Sequence, residues 1–341
     1  MILKQHILPF VAFTLSITGL NRLYERFYGG RGIILTFHGI RKNGSEAINI
    51  SGNVTQSFLD SVLGAIKKKG LEPIHLEDVP EYISSNNKKR FIAITFDDGY
   101  QNNIEMAVPL LEKYKIPATI FVTSSMLNDR VEYEWLGLEE YIKNNNFFQI
   151  ENLSYKIDTI FLKQKAYQDF SQVLLSDYKK WKPKLISFLK SNNINLSEIT
   201  SKYLMTVEQL KDLSRNELIK IGGHTSNHCM LSALNEEEAF REIIDNKKDI
   251  EDFLNNKIQA FAYPYGGPKA CGERDYELAQ KAGYEVAVTT LSGSILNEHI
   301  RSLYNLPRIG VSGLYENYSM IDFYLSGSCG RLRQIFKRFL T

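Results

Sequence analysis

The stretch FIAITFDDGYQNN, Phe91–Asn103, decides how the chain is read. Phe91–Phe96 is rich in Ile and Phe and alternates poorly between apolar and polar, the pattern of a strand buried on both faces. Two adjacent aspartates, Asp97 and Asp98, come where that strand leaves its sheet. Like charges this close repel, each would prefer water, and a plain turn needs at most one Asp. A positive charge is therefore expected beside them.

Working outward, short apolar runs alternate with helical patterns. The strand candidates are Ile33–Phe37, Phe91–Phe96, Ala118–Val122, Ile219–Ile221, Ile258–Tyr263 and Glu285–Thr290. Segments such as SFLDSVLGAIKKKG and NEEEAFREIIDNKKDIEDFL carry helical spacing between them, with Asn235 as an N-cap and Gly283 as a stop. This is an α/β layout of parallel strands joined by helices, closed or nearly closed into a barrel. A Lys- and Asn-rich stretch at about residues 131–216 breaks the rhythm and reads as a helical insertion, with Trp135 and Trp181 expected in its core.

Composition narrows the function. With 341 residues, 43% of them hydrophobic, the chain can bury a large core. Lys plus Arg, 41, nearly balances Asp plus Glu, 39, so no basic field argues for nucleic acid. Cys229, Cys271 and Cys329 show no C-x-x-C spacing, which offers neither a disulfide framework nor a thiolate metal site and points mildly to a reducing compartment.

Both ends invite a membrane reading. ILPFVAFTLSITGL, Ile7–Leu20, is shorter than the ~20 apolar residues of a spanning helix, contains Pro9 and lacks a small-residue cleavage site. Residues 1–31 are therefore expected to form an amphipathic helix that is interfacial or core-packed, with an anchor or signal peptide as the alternative. Residues 321–341 form a basic amphipathic segment in which Leu332, Ile335, Phe336, Phe339 and Leu340 can share one stripe beside Arg331, Lys337 and Arg338. The location expected from these features is cytoplasmic, peripheral at the inner face of a membrane, with export or anchoring as the alternative.

Reactive groups in a β/α barrel belong at the carboxyl ends of strands. Just past the strand candidates stand His38, then Asp97 and Asp98, then His224 and His228, then Tyr265, then a loop holding His299 that leads to Arg308. Within IGGHTSNH, Ile221–His228, the histidines stand four apart, the spacing of one face of a helical turn, and Gly222 and Gly223 would let the chain leave its strand freely. H-x-x-x-H alone also fits a solvated helix face. Joined to an Asp pair ending a parallel strand, it fits a catalytic metal: two imidazoles and one carboxylate leave a coordination position open to water. One aspartate can then bind the metal and the other act on that water.

TFDDGY and HTSNH, in that order, resemble the first two motifs of the polysaccharide deacetylases, the NodB homology domain of the family-four carbohydrate esterases. The resemblance covers roughly Ile33 to Val311. It implies a distorted (β/α) barrel of about seven parallel strands, over residues 32–320 with the insertion. It also implies that Asp97 is the general base and that Asp98, His224 and His228 hold a divalent metal. FAYPYGG, Phe261–Gly267, is similar to the third motif, whose tyrosine, here Tyr265, lines the groove while its backbone N–H helps hold the oxyanion. Where an arginine that orients the base often begins that motif, this chain has Ala262, and Arg308 is the candidate substitute. The fourth motif has no clear counterpart, and the last motif's histidine is not evident, leaving His38, at a strand end, as general acid ahead of His299. Tyr100, Tyr265 and Arg308 are the candidate substrate contacts.

The function implied is removal of an acetyl group from an N-acetylated sugar of a surface polysaccharide or its lipid-linked precursor. Zinc is the expected metal, with cobalt, nickel or iron compatible with the same donors. Alternatives are a deformylase, amidase or O-deacetylase on a lipid-linked amino sugar, a glycan-binding protein without catalysis, and a membrane-associated scaffold.

Overall fold

The computed structural model describes residues 2–87, 89–128 and 132–330. It begins with two helices, α1 (Ile2–Ile17) and α2 (Leu20–Tyr28), where the sequence suggested one. The break is Gly19, which takes a left-handed φ of 71° at no steric cost. β1 (Gly32–Phe37) opens the barrel and is followed by a short parallel pair, β2 (Gly39–Arg41) and β3 (Asn53–Thr55). The Thr55 hydroxyl accepts from the Phe58 amide and caps α3 (Gln56–Lys69), which leads through β4 (Glu72–Ile74) and α4 (Val79–Ser84) to β5 (Phe91–Phe96). α5 (Val108–Tyr114) connects to β6 (Ala118–Val122).

Next come α6 (Glu134–Asn144), a hairpin of β7 (Phe147–Ile150) and β8 (Leu153–Lys156), α7 (Ile160–Ser176), α8 (Tyr178–Ser191) and α9 (Leu196–Tyr203). The hairpin corrects the purely helical reading of this region: β7 alternates exposed and buried residues, turning Phe148 and Ile150 into a separate core with Phe170, Trp181 and Leu185. α10 (Val207–Leu213) returns to the barrel, which continues with β9 (Ile219–Gly223), α11 (Glu236–Leu254), β10 (Ala260–Ala262), α12 (Glu273–Lys281), β11 (Val286–Val288), β12 (Ile309–Gly310) and α13 (Tyr318–Leu325). Asn235 caps α11 in a capping box with Glu238, and Gly283 follows α12 in the left-handed region. Residues 331–341, which carry the basic C-terminal stripe read from the sequence, lie outside the described residues.

Seven parallel strands run in the order β11-β10-β9-β6-β5-β1-β12, and β4 pairs with the first half of β5. The two edges approach through one segment: Leu306 bridges to Val288 of β11, and Ile309 and Gly310 then pair with β1. The sheet is thus a distorted (β/α) barrel. Strand residues alternate between two cores. Ile92, Ile94 and Phe96 of β5 face the helix layer with Leu59, Val62 and Leu63 of α3, while Phe91 and Ala93 face the interior with Ile34, Phe121, Ala260 and Val286. Burial on both faces is why β5 reads as a continuous apolar run.

Gly222 and Gly223 have a different role from the one their position suggested. Neither takes a positive φ; instead their neighbours crowd them. A Cβ on Gly222 would overlap the Phe121 ring, and one on Gly223 would overlap the Tyr284 hydroxyl and Asn246 Oδ1. Gly223→Ala should therefore destabilise the fold by about 1–3 kcal/mol through overpacking. Denaturant unfolding measures this, and a variant as stable as the native protein would show that the crowding is relieved without cost.

Candidate active site

The interior alternation of β5 continues past its end, so that Asp97 points down the barrel axis. There it meets Arg308, which precedes β12 and is completely buried. Arg308 Nη1 and Nη2 each donate to a different Asp97 carboxylate oxygen at 2.7 Å. The hydroxyl oxygens of Thr36 and Thr95 accept from Arg308 Nη1 at 3.0 and 3.1 Å, and Thr289 O accepts from Nε at 3.0 Å. Burial alone would raise the Asp97 pKa; the Arg308 charge and its hydrogen bonds outweigh that and hold the carboxyl below its usual range. This corrects the assignment of Arg308 to substrate contact: it faces Asp97, taking the orienting role its sequence position also suggested.

Asp98 turns the other way because its backbone is left-handed, φ 74°. Its Oδ1 lies 3.4 Å from His224 Nε2 and 3.2 Å from His228 Nε2. The two histidines do not sit on a helical turn, as their spacing suggested. His224 follows β9 directly, and the chain then loops through Thr225 and His228 at φ 59° and 51°. Tyr265, after β10, is also left-handed at φ 62°. Such backbone costs on the order of 1–3 kcal/mol per residue and persists where the surroundings over-determine it. Here Asn246 of α11 is one restraint: its Oδ1 accepts from the His224 amide at 3.0 Å and its Nδ2 donates to Thr225 O at 2.8 Å.

The donor set fits a cation. One ligand atom from each of Asp98, His224 and His228 lies within 4.8 Å of the others, and all three residues are buried. His224 Nδ1 sits 2.7 Å from Ala262 O, so with the proton assigned to Nδ1 its Nε2 lone pair faces the cluster. Burial would raise Asp98, but hydrogen bonding by His224 and His228 holds its pKa far below the usual carboxylate range; burial pushes His228 down. A carboxylate and two imidazoles converging on one point are the donor set of a divalent-metal site.

His38, at the end of β1, brings Nε2 to 4.0 Å from Asp97 Oδ2 and keeps an exposed edge. With Asp97, Asp98, Tyr100, His224, His228 and Tyr265 it lines a cleft of about 220 Å³. His299 is not there: it lies in a short helical turn at the other end of the barrel, its Nδ1 accepting from the Leu296 amide. Trp135 has a second role beyond the one read from the sequence. It packs against the insertion's core and also lines the cleft: its ring lies 4.4 Å from that of His228, and its Nε1 donates to the Tyr100 hydroxyl at 3.1 Å. The neighbouring Glu134 is fully buried, accepts from the Tyr265 hydroxyl at 3.0 Å and stands 3.5 Å from Lys182 Nζ. Glu134, Lys182 and Asn246 had no signal in the sequence beyond residue type. Trp181 does lie in the insertion's core.

A model of the family described as polysaccharide deacetylase matches residues 84–172 and 165–287, more than half of the chain. The chain belongs to the polysaccharide deacetylase family. A curated protein named for that family, YxkH of Bacillus subtilis (strain 168), is 23% identical over 224 residues, 66% of this chain. The chain spans about half the length of that relative, 52%. The fold is similar to that of the Streptococcus pyogenes deacetylase PplD solved with acetate, with a TM-score of 0.54 and 20% identity over 83% of this chain and 92% of that one. It is also similar to a de-N-acetylase from Aggregatibacter actinomycetemcomitans, with a TM-score of 0.53 and 14% identity over 86% and 99%. The likeness to the two solved structures is one of fold.

Two measurements test the deacetylase site. His228→Ala should lose bound metal while circular dichroism keeps the native spectrum, because one of three ligands is gone and the barrel core is untouched; full metal retention would remove His228 from the ligand set. Arg308→Lys keeps one charge and loses the two-pronged contact, so burial acts on Asp97 with less opposition and its pKa rises. The ionised form of a carboxylate is lost as pH falls through its pKa, so the acid limb of kcat/KM should move to higher pH by about one unit or more. An unmoved limb would show that Asp97 does not set it.

Proposed function

We propose that this protein is a metal-dependent deacetylase that hydrolyses the N-acetyl group of an amino sugar in a surface polysaccharide or its lipid-linked precursor. The observation that carries the reading is the placement of Asp97 between Arg308 below it and His38 above it, one residue from the metal-ligating carboxylate of Asp98. A divalent cation held by Asp98, His224 and His228, with zinc the best match to two imidazoles and one carboxylate, would supply Lewis-acid polarisation of the acyl carbonyl and acidify water.

The residues of the chain supply the rest. Asp97, kept ionised by Arg308, accepts a proton from water as the water oxygen bonds to the acyl carbon. His38, partly open to solvent at the cleft mouth, donates a proton to the nitrogen as the carbon–nitrogen bond breaks. The amide and water become acetate and an amine. The rings of Trp135 and Tyr265 wall the site and reduce the water around the reacting groups. Arg308 itself stays with Asp97 and transfers no proton, since its guanidinium remains charged.

The experiment compares an N-acetylated glucosamine oligomer with an activated acetyl ester as substrates of native protein, Asp97→Asn and His38→Ala. An amide nitrogen needs a proton to leave and an activated ester does not. His38→Ala should therefore lose about 10²–10⁴-fold on the amide and far less on the ester, while Asp97→Asn loses activity on both. Equal losses in His38→Ala would reject His38 as the acid. No acetate release from any N-acetylated sugar, with ester turnover retained, would shift the assignment to an O-deacetylase.

A further inference from the structure

α2 is an amphipathic helix mounted inside out. Its inward side is polar: Asn21 is completely buried, with Nδ2 donating to Asp322 Oδ2 at 2.7 Å and Oδ1 accepting from Ser328 Oγ at 3.1 Å. One turn on, Glu25 pairs with Lys69 at 3.1 Å and with Arg90. Its outward side carries Leu20, Leu23 and Phe27, spaced i, i+3, i+7. α1 packs along α13 through Leu8, Ala12 and Leu15 and shows solvent Phe10, Phe13 and Ile17, at the same spacing. These six apolar side chains are 45% to 69% exposed. Isolated exposed apolar residues are ordinary, but two helices presenting matched stripes are not. Moreover, the polar anchors on buried Asn21 and partly buried Glu25 fix α2 in the orientation that sends its apolar side to solvent.

We propose that α1 and α2 together form a docking surface for an anionic lipid bilayer. No helix among the described residues is long and apolar enough to cross a membrane, so the contact is interfacial. The choice of occupant rests on charge. Arg22 and Arg26 are exposed on α2 beside the apolar stripe, where their stems can lie along it and their guanidinium groups reach lipid phosphates. In a twofold contact with a second copy those arginines would meet their own equivalents. The chain's own residues 331–341 are a poor cover for the same reason, since they bring Arg331, Arg333, Lys337 and Arg338. The α2 end of this face lies at the amino-terminal rim of the barrel, where Arg90 immediately precedes β5. The cleft opens at the carboxyl rim, so docking leaves the mouth clear of lipid.

Full-length protein is sedimented with phosphatidylcholine vesicles and with vesicles that also contain phosphatidylglycerol. Native protein should bind the anionic vesicles, bind the neutral ones more weakly, and lose part of the anionic binding at high salt. The triple variant Phe13→Gln, Ile17→Gln, Phe27→Gln should bind at least about tenfold more weakly while keeping native turnover of a soluble acetyl ester, because none of the three residues touches the cleft. The double variant Arg22→Ser, Arg26→Ser should narrow the difference between the two lipids. Native protein that binds neither vesicle, or a triple variant that binds as well as native, would overturn the proposal. A native dimer that becomes monomeric in the triple variant would give the face to a second copy instead.

Discussion

Asp97 and Arg308 stand 211 residues apart in sequence and form one fully buried ion pair on the barrel axis. Breaking such a pair by removing one partner costs about 3–5 kcal/mol, because the other charge is left buried without compensation. The barrel's geometry depends on it. Arg308 lies in the segment that bridges β11 and then pairs with β1, and its donors bind the interior hydroxyls of Thr36 and Thr95, so the same guanidinium ties the closing edge to the two strands carrying His38 and Asp97. Closure of the sheet and orientation of the base are therefore one constraint. A hydrophobic substitute could fill the space, but it would leave Asp97 to neutralise itself by taking up a proton.

The rim above the pair is organised by strain. Asp98, Thr225, His228 and Tyr265 all adopt left-handed backbone without being glycine; three of them line the cleft, and Thr225 directly follows His224, which lines it too. At Asp98 the strain has a direct use. Asp97 and Asp98 are neighbours, yet their carboxylates must face different partners, one down the axis and one toward two imidazoles. Regular strand geometry would also send them to opposite sides, but it would place Asp98 in the helix layer rather than over the rim. The left-handed turn keeps both aspartates at the mouth with their charges separately compensated.

Much of this was legible in the sequence because it depended on local pattern. A strand buried on both faces reads as an apolar run, and a barrel puts its reactive groups after such runs, so pattern alone locates Asp97, Asp98, His224, His228 and Tyr265. The readings that failed needed tertiary information. An i, i+4 histidine spacing is shared by a helical turn and by a loop with two left-handed residues, and only the contacts of Asn246 choose between them. Arg308 was tied to the base only through the family resemblance, because nothing in LPRIGV itself specifies which carboxylate it meets. The inversion of α2 was invisible for the same reason: an amphipathic pattern shows that a helix has two faces, while the positions of Lys69, Arg90 and Asp322 determine which face turns inward.

The insertion illustrates how one barrel can keep its chemistry and change its substrate. A buried carboxylate is costly unless it is paired, and Glu134 is paired both ways: the Tyr265 hydroxyl donates to one oxygen and Lys182 of α8 stands near the other. Tyr265 belongs to a barrel loop, whereas Glu134, Trp135 and Lys182 lie between β6 and α10, so this contact fastens the insertion to the rim. The cleft wall beside His228 is consequently a fixed surface built partly from residues outside the two motifs that end β5 and β9. In the proposed mechanism, proton transfer and metal binding would depend on those motifs and on Arg308, whereas the room for a sugar would depend on α6 and α7. Because the two sets lie on different segments of the chain, the proposed chemistry and the proposed substrate can be tested by separate substitutions.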